Sequence, residues 1–288
     1  MPSVAKRTTK KIRKASPSET PRYLTHYTDL AGFQGIIANK QMWLSHAGFL
    51  NDPEELQYGV NRANAVLQKL LKGQDADDGG RLKLVSDIAR DFAKFQPPDA
   101  YIACFCQRSD LLSQWRGYAS RQGVSITFKT EELLRAFAGM EAELHQVVYG
   151  INESNRALKS AIEDELPDII DDVQYLIGSL KDSEIRQSFS DLITKMVPRF
   201  KHFGFREEQE WRIVVTSPAK RVIKFRPRGQ LLLPYIELDA KGKTLAIEDI
   251  TIGPGVNDDA VKKSIQFFLR QHGYDPEIVD PSSTPYRT

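Results

Sequence analysis

The sequence predicts an α+β fold, and three features predict it. Strand-like runs fall in three groups, near the start, the middle and the end of the 288 residues. Helical periodicity fills the stretches between them, without the regular β-α alternation of a doubly wound parallel sheet. A composition of 41% hydrophobic and 27% charged residues is that of a chain with a substantial buried core. We therefore expect a mixed or antiparallel sheet built from both ends of the chain. It should occupy one domain over residues 23–288, with a helical insertion at 152–197.

Each element has a local reason. Tyr23 opens an aromatic and β-branched run, YLTHYT, which reads as a strand ending at Asp29, a helix cap. Leu30, Phe33 and Ile37 then share one side of a short helix, and QMWLSH is the second strand. After the loop GFLNDPEE, Pro53 opens a helix carrying Leu56, Val60, Ala63, Leu67 and Leu70 at helical spacing. KGQDADDGG breaks the pattern, and Leu82, Val85, Ala89 and Phe92 mark another helix that QPPD ends. DAYIACFC and GVSITF are strands, residues 131–139 a helix, and LHQVVYG is strand-like. Within 152–197, Ile169, Val173, Leu176 and Leu180 recur on one helical face. EQEWRIVVT, RVIKF, LLLPYIEL and EDITIGPG form a β-rich stretch. VKKSIQFFLRQHG is an amphipathic helix closed by Gly273, and PEIVD a last strand.

Net charge is +2, from 40 basic and 38 acidic residues, but it is unevenly spread. Residues 1–22 hold seven basic residues against Glu19, a local +6, so the remaining body is mildly acidic. This arm has almost nothing to bury and should be disordered. It reads either as an electrostatic tether to a nucleic acid or other polyanion, or as a solubilising tail. No apolar stretch is long enough to span a bilayer, and the basic start lacks a secretory apolar core. With only Cys104 and Cys106, a reducing, cytoplasmic setting is expected. No structural zinc site is signalled, and none of the Rossmann, P-loop or nucleophile-elbow signatures occurs.

REEQEWRIVV is the sharpest local feature. On a strand, Trp211, Ile213 and Val215 would point one way and Glu208, Glu210 and Arg212 the other. Two carboxylates about 7 Å apart repel, so they need a compensating role. One reading is catalysis, with a carboxylate facing a developing cation or activating a hydroxyl; the other is a solvated face neutralised by Arg212. His26, in a run with Tyr27 and Thr28, reads as a structural histidine or as a finger for a ligand hydroxyl. Asp52 and Pro53 suit a helix start, which leaves Asn51 without a structural duty. Trp115 and Tyr118, three residues apart, would wall a flat ring-binding slot or pack in the core.

These segments together resemble the bacterial family known as domain of unknown function 2971. The shared pieces are L-T-H-Y-T, W-L-S, F-L-N-D-P-E-E, C-F-C with W-R-G-Y-A, G-V-S-I-T-F, E-E-Q-E-W-R-I-V, L-P-Y-I-E-L, I-T-I-G-P and S-S-T-P-Y-R. Cys106 and Arg116-Gly117 depart from that family's usual residues. The family is similar, more remotely, to the ADP-ribosyltransferase superfamily. That likeness implies a split, mostly antiparallel sheet with NAD as substrate in its cleft, and a role as a toxin or antiphage-defence effector. It implies catalytic roles for Glu210, Glu208 and His26: Glu210 at the developing cation, Glu208 on the acceptor, His26 on a ribose hydroxyl. NAD-contacting roles fall to Tyr27, Thr28, Asn51, Trp115, Tyr118 and Arg212, and no metal is required. The implied acceptor is a macromolecule, either nucleic acid or protein. A non-enzymatic nucleotide or nucleic-acid binding module on the same fold is the alternative.

Overall fold

The computed structural model describes residues 20–49, 55–72, 99–118, 122–177, 182–216, 218, 222–255 and 258–285. The expected arm and the helix near 82–92 lie outside the described residues, save for Thr20, Pro21 and Arg22. The strands are β1 (Tyr23–Asp29), β2 (Gln41–His46), β3 (Ala100–Cys106), β4 (Gly123–Lys129), β5 (Glu143–Gln146), β6 (Val148–Tyr149), β7 (Phe200–Lys201), β8 (Glu210–Thr216), β9 (Lys224–Arg228), β10 (Leu231–Asp239), β11 (Ile247–Ile252) and β12 (Val279–Pro281). The helices are α1 (Leu30–Asn39), α2 (Glu55–Lys72), α3 (Leu112–Tyr118), α4 (Thr130–Ala136), α5 (Ile151–Ile177), α6 (Asp182–Met196) and α7 (Asp258–Gln271). No helix of the described residues is long and apolar enough to cross a membrane.

The architecture is α+β with a mixed, largely antiparallel sheet. Its path runs β12-β11-β4-β1-β3-β2-β10-β9, and β8 with β5 branches from β3. Both ends of the chain contribute strands, as the three sequence groups predict. The branch shapes the site. One edge of β3 pairs with β8 along its whole length, from Ala100↔Thr216 to Cys106↔Glu210. The other edge is shared. β2 takes Tyr101 and Ile102, and β1 takes Cys106. Between these contacts neither β1 nor β2 pairs with Ala103, Cys104 or Phe105, and β1 and β2 part to leave a gap on this edge.

Pleat alternation explains the two layers of core. Tyr101, Ala103 and Phe105 of β3 join Trp211, Ile213 and Val215 of β8 in a cluster with residues of α1 and α7. On the opposite face, Ala100, Ile102 and Val214 pack against Val60, Ala63 and Leu67 of α2, Leu158 and Ile162 of α5, and Phe189 and Ile193 of α6. The predicted insertion therefore packs beside α2. Ile169, Val173, Leu176 and Leu180 lie where side chains fall outside the described residues.

Four boundaries differ from the periodic reading. β8 begins at Glu210; Glu208 ends a 3-10 turn, Phe203–Glu208, and Gln209 is left-handed at φ 45°. LHQVVYG splits into β5 and β6, of which β6 pairs in parallel with β7 in a separate two-stranded sheet. RVIKF shifts, because β9 starts only at Lys224. PEIVD begins as a 3-10 turn before β12 pairs in parallel with β11. Asp29 caps α1 as expected, with Oδ1 accepting the Gly32 amide at 2.7 Å.

Candidate functional site

The gap beside β3 opens into a cleft of about 660 Å³. Its floor is the edge of β3 from Ile102 to Cys106, with β1 on one side and β2 on the other. Gln114 and Gly117 of α3 line one rim, Arg226 to Arg228 of β9 another, and Glu208 and Glu210 reach it from β8 and the turn before it. His26, Tyr27, Thr28, Glu208 and Glu210 all line this one cleft.

Glu210 sits in a buried ionic cluster. Its Oε1 accepts Arg212 Nε at 2.7 Å, and its Oε2 accepts Lys201 Nζ at 2.8 Å and Arg212 Nη2 at 3.0 Å. Its amide donates to the Tyr149 hydroxyl at 2.8 Å. Lys201 also donates to Glu208 Oε2 at 2.7 Å, so one ammonium bridges both carboxylates. Arg212 is 1% exposed. Its Nη1 donates to the Pro198 carbonyl at 2.8 Å, and its Nη2 to Glu55 Oε1. Gly59 permits this convergence. A Cβ there would meet the Val197 carbonyl oxygen at 2.7 Å, so only glycine lets α2 lie against the Val197–Arg199 turn that precedes Lys201.

The electrostatics separate the two carboxylates. Burial pushes Glu210 up, but Arg212 and Lys201 outweigh it and hold its carboxyl at about 2. Burial raises Glu208 above its ordinary value, with Lys201 opposing. Fully ionised, the cluster would carry three negative and two positive charges, and Glu208 is its most exposed carboxylate at 16%. Paired carboxylates pushed apart in this way suit different proton duties. Glu210 remains an anion for facing positive charge, and Glu208 is the better proton acceptor.

Cys104 projects on the same pleat face as Arg212 and Glu210. Burial and then Glu210 push its thiol well up, against Arg212 and Lys201, which keeps it neutral. On the gap edge, the Cys104 carbonyl is 2.8 Å from His26 Nδ1. A carbonyl only accepts, so Nδ1 carries the proton. Burial holds His26 below its ordinary value, opposed by this bond and assisted by Arg226. The neutral ring then presents Nε2 as an acceptor. In an extended strand a residue's amide and carbonyl share an edge, so the Cys104 amide is also aimed at the gap.

The other expected residues divide. Tyr27 walls the cleft, but its hydroxyl is engaged, donating to the Arg108 carbonyl at 2.7 Å and accepting the Leu111 amide at 3.0 Å. Thr28 lines the cleft half-buried. Trp115 does not line it. Its indole packs edge-on against Tyr27 at 4.8 Å and donates to Asp110 Oδ1 at 2.7 Å, so it backs the wall. Arg212 fixes Glu210 from behind. Asn51 and the Tyr118 side chain lie outside the described residues.

Sequence reasoning missed Lys201, Glu55, Gln114, Ser45 and Arg226. Lys201 carried a usable signal, because two close carboxylates beside one arginine call for a second cation. Its identity is decided by β7, a two-residue strand with no periodicity to detect.

Residues 114–213 match the family described as Protein of unknown function (DUF2971). The stretch contains Glu208, Glu210 and Arg212 and excludes His26. No curated protein and no solved structure matches the chain.

Proposed function

We propose that the cleft binds NAD and transfers its ADP-ribosyl group to a macromolecular acceptor. The observation that carries this reading is the convergence of His26, Glu208 and Glu210 on one cleft from distant parts of the chain. In the reaction, the bond between ribose C1′ and the nicotinamide nitrogen breaks, and its electron pair leaves on neutral nicotinamide. The ribose develops oxocarbenium character, as in glycoside hydrolysis, and the anionic Glu210 stabilises it. His26 Nε2 accepts a hydrogen bond from a ribose hydroxyl. The acceptor nucleophile bonds to C1′ and gives its proton to Glu208. The ADP-ribosyltransferase likeness of the L-T-H-Y-T and E-x-E segments supports the same assignment.

A second reading has one observation in its favour. Glu210 accepts three hydrogen bonds within the cluster, as a purely structural carboxylate would. A binding module without turnover would show this equally.

The test is incubation of the full chain with NAD labelled in its adenylate half and a mixed RNA, DNA and protein extract. Label should reach one polymer class and fall at least ~100-fold with Glu210→Gln, a loss typical of removing a group that stabilises transition-state charge. His26→Gln should mainly raise KM for NAD. Binding of NAD without turnover would leave the module; free ADP-ribose without labelled polymer would make the protein a glycohydrolase.

A further inference from the structure

β9 carries the sequence KFRPR and lies at the end of the sheet path, where among the described strands it pairs with β10 alone. Alternate residues of a strand share a face, so Arg226 and Arg228 project together from backbone positions about 7 Å apart. Both line the cleft. Arg226 is held in place. Its Nη2 donates to Ser45 Oγ at 2.9 Å, and its guanidinium lies 5.2 Å from the Trp43 ring and 5.7 Å from that of Tyr235. Ser45 is paired with Ile102 on the cleft floor, so this anchoring aims the cation at the edge of β3. Among the described residues no carboxylate lies within ion-pair distance of Arg226, and Asp29 acts on it only through the longer-range field. Burial and then the like charge of Arg228 both disfavour the Arg226 cation. A partly buried guanidinium such as Arg226, with no described carboxylate at ion-pair distance and a second guanidinium nearby, suits an anion carrying more than one charge. The planar fork of arginine matches phosphate oxygens, and two forks side by side match two linked phosphates.

We infer that Arg226 and Arg228 form a diphosphate subsite in the wall of the cleft contributed by β9. The carboxylates enter on the other edge of β3, so one cleft offers anionic and cationic groups from different strands. A ligand spanning both would pair a diphosphate with a group that becomes cationic. This deepens the transferase reading, because a dinucleotide contains such a linkage, but it is tested without turnover.

The experiment is calorimetric titration of inorganic pyrophosphate, at low ionic strength, into the full chain and three variants. Wild type should bind saturably. Arg226→Gln and Arg228→Gln should each weaken binding by ten-fold or more. Arg270→Gln, which removes an exposed charge on α7, should leave it unchanged. Arg228 is exposed, so its variant keeps the test sound if Arg226→Gln fails to fold. Absence of saturable binding, equal loss in Arg270→Gln, or orthophosphate binding as tightly as pyrophosphate would each overturn the assignment. NAD cleavage measured in parallel separates the two proposals. Pyrophosphate binding without cleavage leaves the subsite and removes the transferase; cleavage with KM unchanged in both arginine variants does the reverse.

Discussion

Replacing Glu210 by Gln keeps the shape of the side chain and removes its charge. In the folded protein its carboxyl is held at about 2, against an ordinary value of 4.5. That difference is worth roughly 3 kcal/mol at neutral pH. Removing one partner of a buried ion pair costs a similar ~3–5 kcal/mol. The folded value lies below the unfolded one, so the contribution is fully present above about pH 5 and is lost as pH falls toward 2. Urea unfolding should therefore show Glu210→Gln destabilised by roughly 3 kcal/mol at pH 7, with the gap to wild type falling to about half by pH 3. A gap below about 1 kcal/mol at pH 7, or one of constant size down to pH 3, would refute the assignment of a buried, paired carboxylate.

Glu208 has the opposite sign. Its raised folded value means that the ionised form costs stability at neutral pH, so Glu208→Gln should unfold within about 1 kcal/mol of wild type at pH 7. A loss as large as that of Glu210→Gln would contradict the electrostatic split. Lys201→Met should cost ~3–5 kcal/mol in urea unfolding and move the acidic limb of the pH profile of NAD turnover upward, because Glu208 loses its nearest cation; a limb that stays in place would remove Lys201 from proton control. Deleting residues 1–19 leaves the Arg22 carbonyl, which accepts the Thr130 amide, and should flatten the salt dependence of polyanion binding by about 0.9 in log–log slope per lost phosphate contact. An unaltered slope would show that the arm is no tether.

Local sequence determined the elements and much of the list of reactive residues. Asp29 caps α1 because a short carboxylate before an apolar period has few better uses. The alternation in EWRIVV sorts Trp211, Ile213 and Val215 from Glu210 and Arg212 because a strand repeats every two residues. His26 and Glu210 were identifiable as types in strands. What the tertiary structure decided is which strands meet. The split of one β3 edge between β1 and β2 sets the Cys104 carbonyl before His26, and no periodicity encodes that vacancy. The bridging of Glu208 and Glu210 by Lys201 depends on a two-residue strand and on Gly59 letting α2 approach. Arg226 reaches the cleft only because β9 follows β10 and β2 across the sheet, and Trp115 moves from ligand wall to buried support through Asp110 and Tyr27. Periodicity reports the neighbours of a residue along the chain, whereas charges and cavities are set by neighbours across it.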